Sequence, residues 1–160
     1  MSGVSDVQFS NITVTNDTGE QIVYAKTIPG GSITTATRYQ VVLTGTISAA
    51  AAPGNIAIRV NLGSASVDIV NEALLALSSN AHFTCNAEIW LRNDNVVGLG
   101  GFFAQNAAEI FTSSGVRLNS NASALNLTVD QLLTVTVQFS TADPANSFMR
   151  SLAALFILTG

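Results

Sequence analysis

At 160 residues the chain has room for one domain with a real core, burying on the order of two-thirds of the surface its unfolded form exposes. Only 10% of its residues are charged, against roughly 25% in an ordinary soluble domain, while 48% are hydrophobic and the net charge is −4. Lys26 is the only lysine, and Arg38, Arg59, Arg92, Arg117 and Arg150 are scattered, so the clustered cations that displace counterions from phosphate are missing and direct nucleic-acid binding is excluded.

Taken in order, the chain reads as strands separated by turns. Val7–Val14 alternates loosely and stops at Asn16-Asp17-Thr18-Gly19. Gln21–Ile28 is a second strand, closed by Pro29-Gly30-Gly31. Arg38–Ser48 sets Tyr39, Val41, Leu43 and Ile47 on one face, with Gly45 among them as the mark of a bulge or of a large neighbour. The alanine run 49–52 is too short to nucleate a helix and leads to a turn at Pro53-Gly54-Asn55. Asn55–Leu62 is the cleanest alternation, with Ile56, Ile58, Val60 and Leu62 inward. Val67–Val70 predicts a short strand, and Asn71–Ser79 is the one place where a short helix competes with loop or strand.

His82–Arg92 points Phe83, Cys85, Ala87, Ile89 and Leu91 inward and Thr84, Glu88 and Trp90 outward. Asn93-Asp94-Asn95 turns it into Val96–Gln105, where Gly98, Gly100 and Gly101 permit close backbone approach. Strands at Ile110–Val116 and Leu125–Val129 follow. The terminal hairpin joins Leu132–Ser140, with Leu133, Val135, Val137 and Phe139 on one side, to a last strand through Asp143-Pro144-Ala145-Asn146. That last strand groups Phe148, Leu152, Phe156 and Leu158 against Met149, Ala153, Leu155 and Ile157. Both faces are apolar towards its end, which predicts cover from a second subunit. Serial short strands with turns between them predict one all-β domain, an antiparallel jelly-roll sandwich of about eight to ten strands.

No motif names a reaction. His82 and Cys85 form H-x-x-C, but zinc needs further ligands of that kind and there is no second His or Cys. No G-x-S-x-G occurs, and Glu88 with Asp94 makes a poor pair of catalytic carboxylates because Asp94 reads as a turn residue. The expectation is a non-enzymatic chain without cofactor or metal. A single cysteine excludes an intrachain disulfide. The opening residues form no secretion leader, so the N-x-[ST] triplets at Asn11, Asn16, Asn121 and Asn126 read as composition rather than glycan sites. The longest apolar run, Leu152–Leu158, is far below the roughly 18 residues of a membrane helix. Outward aromatics can anchor subunits or line a sugar surface; Trp90, Tyr24 and Tyr39 are the candidates.

Three stretches carry a family resemblance: Leu132–Leu158 (LLTVTVQFSTADPANSFMRSLAALFIL), Ala81–Phe103 (AHFTCNAEIWLRNDNVVGLGGFF) and Ile22–Leu43 with Pro29, Gly30, Gly31, Tyr39 and Gly45. Together they resemble small jelly-roll proteins encoded among the structural genes of tailed bacteriophages. The resemblance implies a homotrimeric virion protein, assembled in the bacterial cytoplasm. It is either a decoration (cement) protein on the major capsid protein, or the head of a tail fibre or spike that recognises a host glycan. The chain has no long N-terminal shaft, a departure that favours decoration. The expected subunit interface is Phe102, Phe103, Phe148, Leu152, Phe156 and Leu158, and the expected ligand or shell contacts are Trp90, Asn93, Asp94 and Asn95.

Overall fold

A computed structural model describes residues 2–93, 96–106, 110–111 and 117–159. Among them eleven strands form two antiparallel sheets that pack as a jelly-roll sandwich. The seven-stranded sheet runs β1 (Ser2–Gln8), β11 (Ser147–Thr159), β4 (Thr37–Ser48), β7 (Ala81–Asn93), β8 (Val96–Asn106) and β9 (Arg117–Ala124), with β2 (Ile12–Thr15) also paired to β11. The four-stranded sheet runs β3 (Gln21–Ile28), β10 (Gln131–Phe139), β5 (Asn55–Leu62) and β6 (Ala65–Ala73).

Most elements follow the alternation. Leu133, Val135, Val137 and Phe139 of β10 and Ile56, Ile58, Val60 and Leu62 of β5 all point into the core. From the other sheet, Phe83 stacks on Phe103 at 5.3 Å and meets Phe148 at 4.9 Å, while Phe111 meets Phe103 edge-on at 5.2 Å. The turns also match their chemistry. Asn16 is left-handed at φ 51°, Gly31 at 77° and Gly54 at 70°, and Asn146 N–H donates to the Asp143 carbonyl at 3.0 Å.

Three expectations about the strands need correction. Val7–Val14 is two strands, because Gln8 and Ser10 turn towards Arg150: its guanidinium donates to Gln8 Oε1 at 2.8 Å and to the Ser10 carbonyl at 2.7 Å. Leu125–Val129 is a turn, not a strand. The Asn126 side chain accepts from Thr128 N–H at 3.1 Å, and the strand is the preceding β9, whose sequence RLNSNASA carries no apolar alternation. Of the alternatives left open for Asn71–Ser79, strand and loop hold: β6 continues to Ala73, and Leu77 is left-handed at φ 60°. Of the strand expected at Ile110–Val116, Ile110 and Phe111 are buried, with an isolated bridge from Phe111 to Leu74; residues 112–116 lie outside the described residues.

The third correction concerns the last strand. Phe148 does not share a face with Leu152, Phe156 and Leu158, because a bulge between Arg150 and Leu152 inserts Ser151 and reverses the parity. Phe148 and Arg150 point inward before it, and Ala153 and Leu155 after it. Gly45 sits opposite this bulge. A Cβ built there would overlap the Met149 carbonyl oxygen, stand 2.9 Å from its carbon and 3.0 Å from Cε1 of Phe83. Bulge and large neighbour, the two expectations attached to this glycine, both hold.

Candidate functional site

Directly paired residues in antiparallel strands share a face, so the register lays out the outer surface of the seven-stranded sheet in rungs. One rung runs Leu158, Arg38, Trp90, Gly98 across β11, β4, β7 and β8. The next runs Val4, Phe156, Gln40, Glu88, Gly100, and the third Val7, Ala154, Val42, Asn86, Phe102. A fourth holds Leu152, Thr44, Thr84 and Ala104. The face thus has two halves. On β1 and β11 it is apolar: Val4 is 57% exposed, Val7 41%, and Leu152, Phe156 and Leu158 are each partly exposed. On β4 and β7 it is mostly polar, with Trp90 at its end.

Of the expected interface residues, Leu152, Phe156, Leu158 and Phe102 lie on this face. Phe103 and Phe148 do not. Both are fully buried in the chain's own core, and they leave the set of surface candidates for that reason. Trp90 faces outward with Thr84 and Glu88, as its register requires. Asn93 ends β7 and pairs with Val96, while Asp94 and Asn95 lie outside the described residues. Tyr24 and Tyr39 do not join Trp90 in an aromatic surface: both are buried, Tyr24 donating to Asp6 at 3.2 Å and Tyr39 to the Ser32 carbonyl at 3.3 Å.

Trp90 is seated by an absent side chain. A Cβ on Gly98 would overlap the indole, with Cε2 nearest and its bonded neighbours Nε1 and Cζ2 slightly farther. That order of approach is that of a ring face above backbone, not a ring edge. Beside it, Gln40 Nε2 donates to Glu88 Oε1 at 3.2 Å. One rung further, Asn86 is only 6% exposed and its Oδ1 has no hydrogen-bond partner among the described residues.

The outer face of the four-stranded sheet is built differently. Arg59 is held by Asp68 at 2.6 Å and Glu20 at 3.2 Å, and Glu20 also accepts from Thr136. The hydrogen bond and charge of Asp68 hold the Arg59 pKa above its usual value, with Glu20 adding to the effect. Asn61 donates to Thr134 at 3.2 Å, which leaves a shallow, self-satisfied depression of about 450 Å³ bounded by Ile22 and Leu132.

His82 faces solvent and Cys85 the core, so the two cannot share an ion. Burial pushes the Cys85 thiol up to about 12, which removes its nucleophilic form at neutral pH. Among the described residues no three His, Cys, Asp or Glu gather as a metal site, and no helix is long and apolar enough to cross a membrane. The Asp143–Asn146 loop uses its oxygens internally: Asn146 is fully buried, accepts from Ala50 N–H at 2.9 Å, and donates to the carbonyls of Pro53 at 3.0 Å and Thr141 at 3.2 Å.

Two residues with structural roles escaped sequence reasoning. Asn146 read as a turn former, although it clamps two loops. Arg150 read only as one of the scattered arginines, although it is fully buried and donates to Gln8, Ser10 and the Val23 carbonyl, the last at 2.8 Å. Desolvation lowers its pKa. The signal that could have found it was its even spacing from Phe148 in a strand otherwise apolar.

No protein-family model matches the sequence, and no curated protein aligns with it. Solved structures of similar fold include the CBM2 module of the evolved Dit protein of Lactobacillus casei BL23 phage J-1, at 12% identity over 85% of this chain and 69% of that one, TM-score 0.44. Peanut lectin matches at 7% identity over 100% of this chain and 92% of that one, TM-score 0.47. A Bauhinia forficata lectin solved in complex with GalNAc matches at 10% identity over 99% and 98%, TM-score 0.47. The strand pairing itself makes this chain an all-β, antiparallel jelly-roll sandwich.

Proposed function

We propose that the chain is a non-enzymatic structural protein of a tailed-bacteriophage virion, a homotrimer that binds the assembled capsid and stabilises it as a decoration protein. The observation that carries the self-association is the apolar half of the outer face. Val4, Val7, Leu152, Phe156 and Leu158 form a contiguous band that one subunit leaves partly open to water. In a chain with 10% charged residues, covering that band with like copies is the simplest way to remain in solution. The number three and the place on the capsid come from the resemblance of the terminal hairpin to phage jelly-roll proteins.

Burial is the mechanism. Apolar strand faces pack between subunits, and loops at the ends of the sandwich contact the major capsid protein of the shell beneath. Sedimentation velocity at micromolar concentration is the first test, with a compact trimer expected. A stable, soluble monomer would refute the assembly. Electron microscopy of shells incubated with the trimer then tests the location, with uniform labelling of lattice points expected and labelling confined to the tail counting against decoration.

A further inference from the structure

The polar half of the same outer face has features that subunit packing does not explain. We propose that it is a carbohydrate-binding strip in which a pyranose ring lies against Trp90 and its hydroxyls are read by the side chains on β7 and β4. This inference does not rest on the trimer or on the capsid.

Three observations carry it. First, Gly98 leaves the backbone bare, so the indole lies face-down on the sheet with its opposite face turned outward, and the ring is only partly buried. Glycine inside a strand weakens it, so a bare site under an aromatic has a structural cost that a seated platform explains. A sugar ring presents axial C–H groups to such a platform, and the indole supplies a broad apolar surface that is rigid once seated.

Second, the rungs beside Trp90 carry polar groups within reach of a ring stacked there. Strands are about 4.8 Å apart and same-face neighbours about 6.6 Å apart along a strand. Glu88 and Gln40 therefore stand one rung from the indole, already oriented by their mutual hydrogen bond of 3.2 Å. Arg38 shares Trp90's own rung, is exposed, and has no ion pair among the described residues. On the far side Gly98 and Gly100 raise no side chain to block a ligand.

Third, Asn86 lies on this face two rungs from Trp90, about 13 Å along β7 and so within the span of a second sugar unit. It is 94% buried and keeps an amide oxygen with no donor among the described residues. A buried acceptor in that state calls for a donor that the described residues do not supply. A hydroxyl is such a donor. The mixture of acceptors, one exposed guanidinium and an aromatic face suits a hydroxyl-rich, neutral or acidic sugar. A nucleotide would need clustered cations around the phosphate, and the chain has a single lysine and net charge −4.

The test uses the fact that Trp90 is the only tryptophan. Its fluorescence is titrated with hexameric glucans, N-acetylglucosamine oligomers and uronic-acid oligomers, alongside a glycan array. A saturable blue shift with at least one class is expected. Gly98→Ala, which lifts the indole, should weaken that binding about tenfold with an unchanged far-UV spectrum. Trp90→Ala should remove array binding, and Trp90→Phe should retain part of it and so controls for folding. No saturable change with any sugar on the panel and array overturns the proposal, as does array binding that Trp90→Ala leaves intact. Sedimentation of the same samples keeps the two questions apart: a trimer that binds no sugar overturns this inference alone, and a monomer that binds sugar overturns the assembly alone.

Discussion

Replacing Gly45 with alanine should do more damage than its one added methyl implies. The new Cβ would overlap the Met149 carbonyl oxygen, and 2.9 Å from the carbonyl carbon is also too close. Both atoms are backbone, so no rotamer relieves them. The ring of Phe83, at 3.0 Å on the other side, is pinned between Phe103 and Phe148 and cannot retreat. Strand β11 must therefore move away from β4 at its bulge. Overpacking of this kind costs about 1–3 kcal/mol. Losing two ladder hydrogen bonds around Met149 and Arg150 adds about 0.5–1.5 kcal/mol each. Alanine recovers about 0.5–1 kcal/mol by restricting the unfolded chain. The net loss is then about 1–5.5 kcal/mol, centred on about 3 kcal/mol, a large part of the 5–15 kcal/mol typical of a domain. Two controls isolate the cause. Gly3→Ala meets nothing within 4 Å and should be neutral or slightly stabilising. Gly31→Ala also meets open space but at φ 77°, and should cost only about 1–2 kcal/mol. Urea unfolding followed by circular dichroism measures all three. If Gly45→Ala unfolds at the wild-type midpoint, the close approach of β11 to β4 at the bulge is not real.

Phe156→Asp puts a charge in the middle of the apolar band, and sedimentation should show the assembly dissociating; an unchanged trimer would mean that the interface lies elsewhere. Asn146→Ala removes three hydrogen bonds from a fully buried side chain and should cost about 2–3 kcal/mol in urea unfolding, whereas a loss below about 0.5 kcal/mol would deny its role as a clamp. Cys85, with its thiol at about 12 in the fold against 9.0 unperturbed, should resist thiol reagents in the native protein at pH 8 and react on unfolding. Linkage gives the sign of its effect on stability: the unfolded chain loses the proton first, so this contribution is complete below pH 9 and is lost as pH rises towards 12. Tyr24, raised by burial and then by Asp6, acts in the same direction, so stability should fall in alkali; thermal melts from pH 8 to 11 that show no such fall would contradict the burial of both groups.

Local alternation was enough to find most of the sandwich. β3 and β5 match the predicted limits, and β4, β7, β8 and β10 come within a residue or two, because a strand with one face in the core writes that burial into every second side chain. Turn chemistry was equally legible at Asn16–Gly19, Pro53–Asn55 and Asp143–Asn146, where the residues themselves prefer the required backbone. So was the outward side of Trp90, which depends only on its parity with Phe83 and Cys85.

What the tertiary structure decided has a different origin. The inserted Ser151 reverses the face of everything after it, and nothing local marks a bulge whose cause is Gly45 on a strand a hundred residues away. Strand β9 has no apolar alternation and exists because β8 offers it a ladder. Arg150 and Asn146 are buried because distant loops supply their partners, and the indole of Trp90 lies flat because a neighbouring strand has glycine at the matching rung. Periodicity records which side of one strand is dry; pairing between strands, which no single segment encodes, determines what each side then touches.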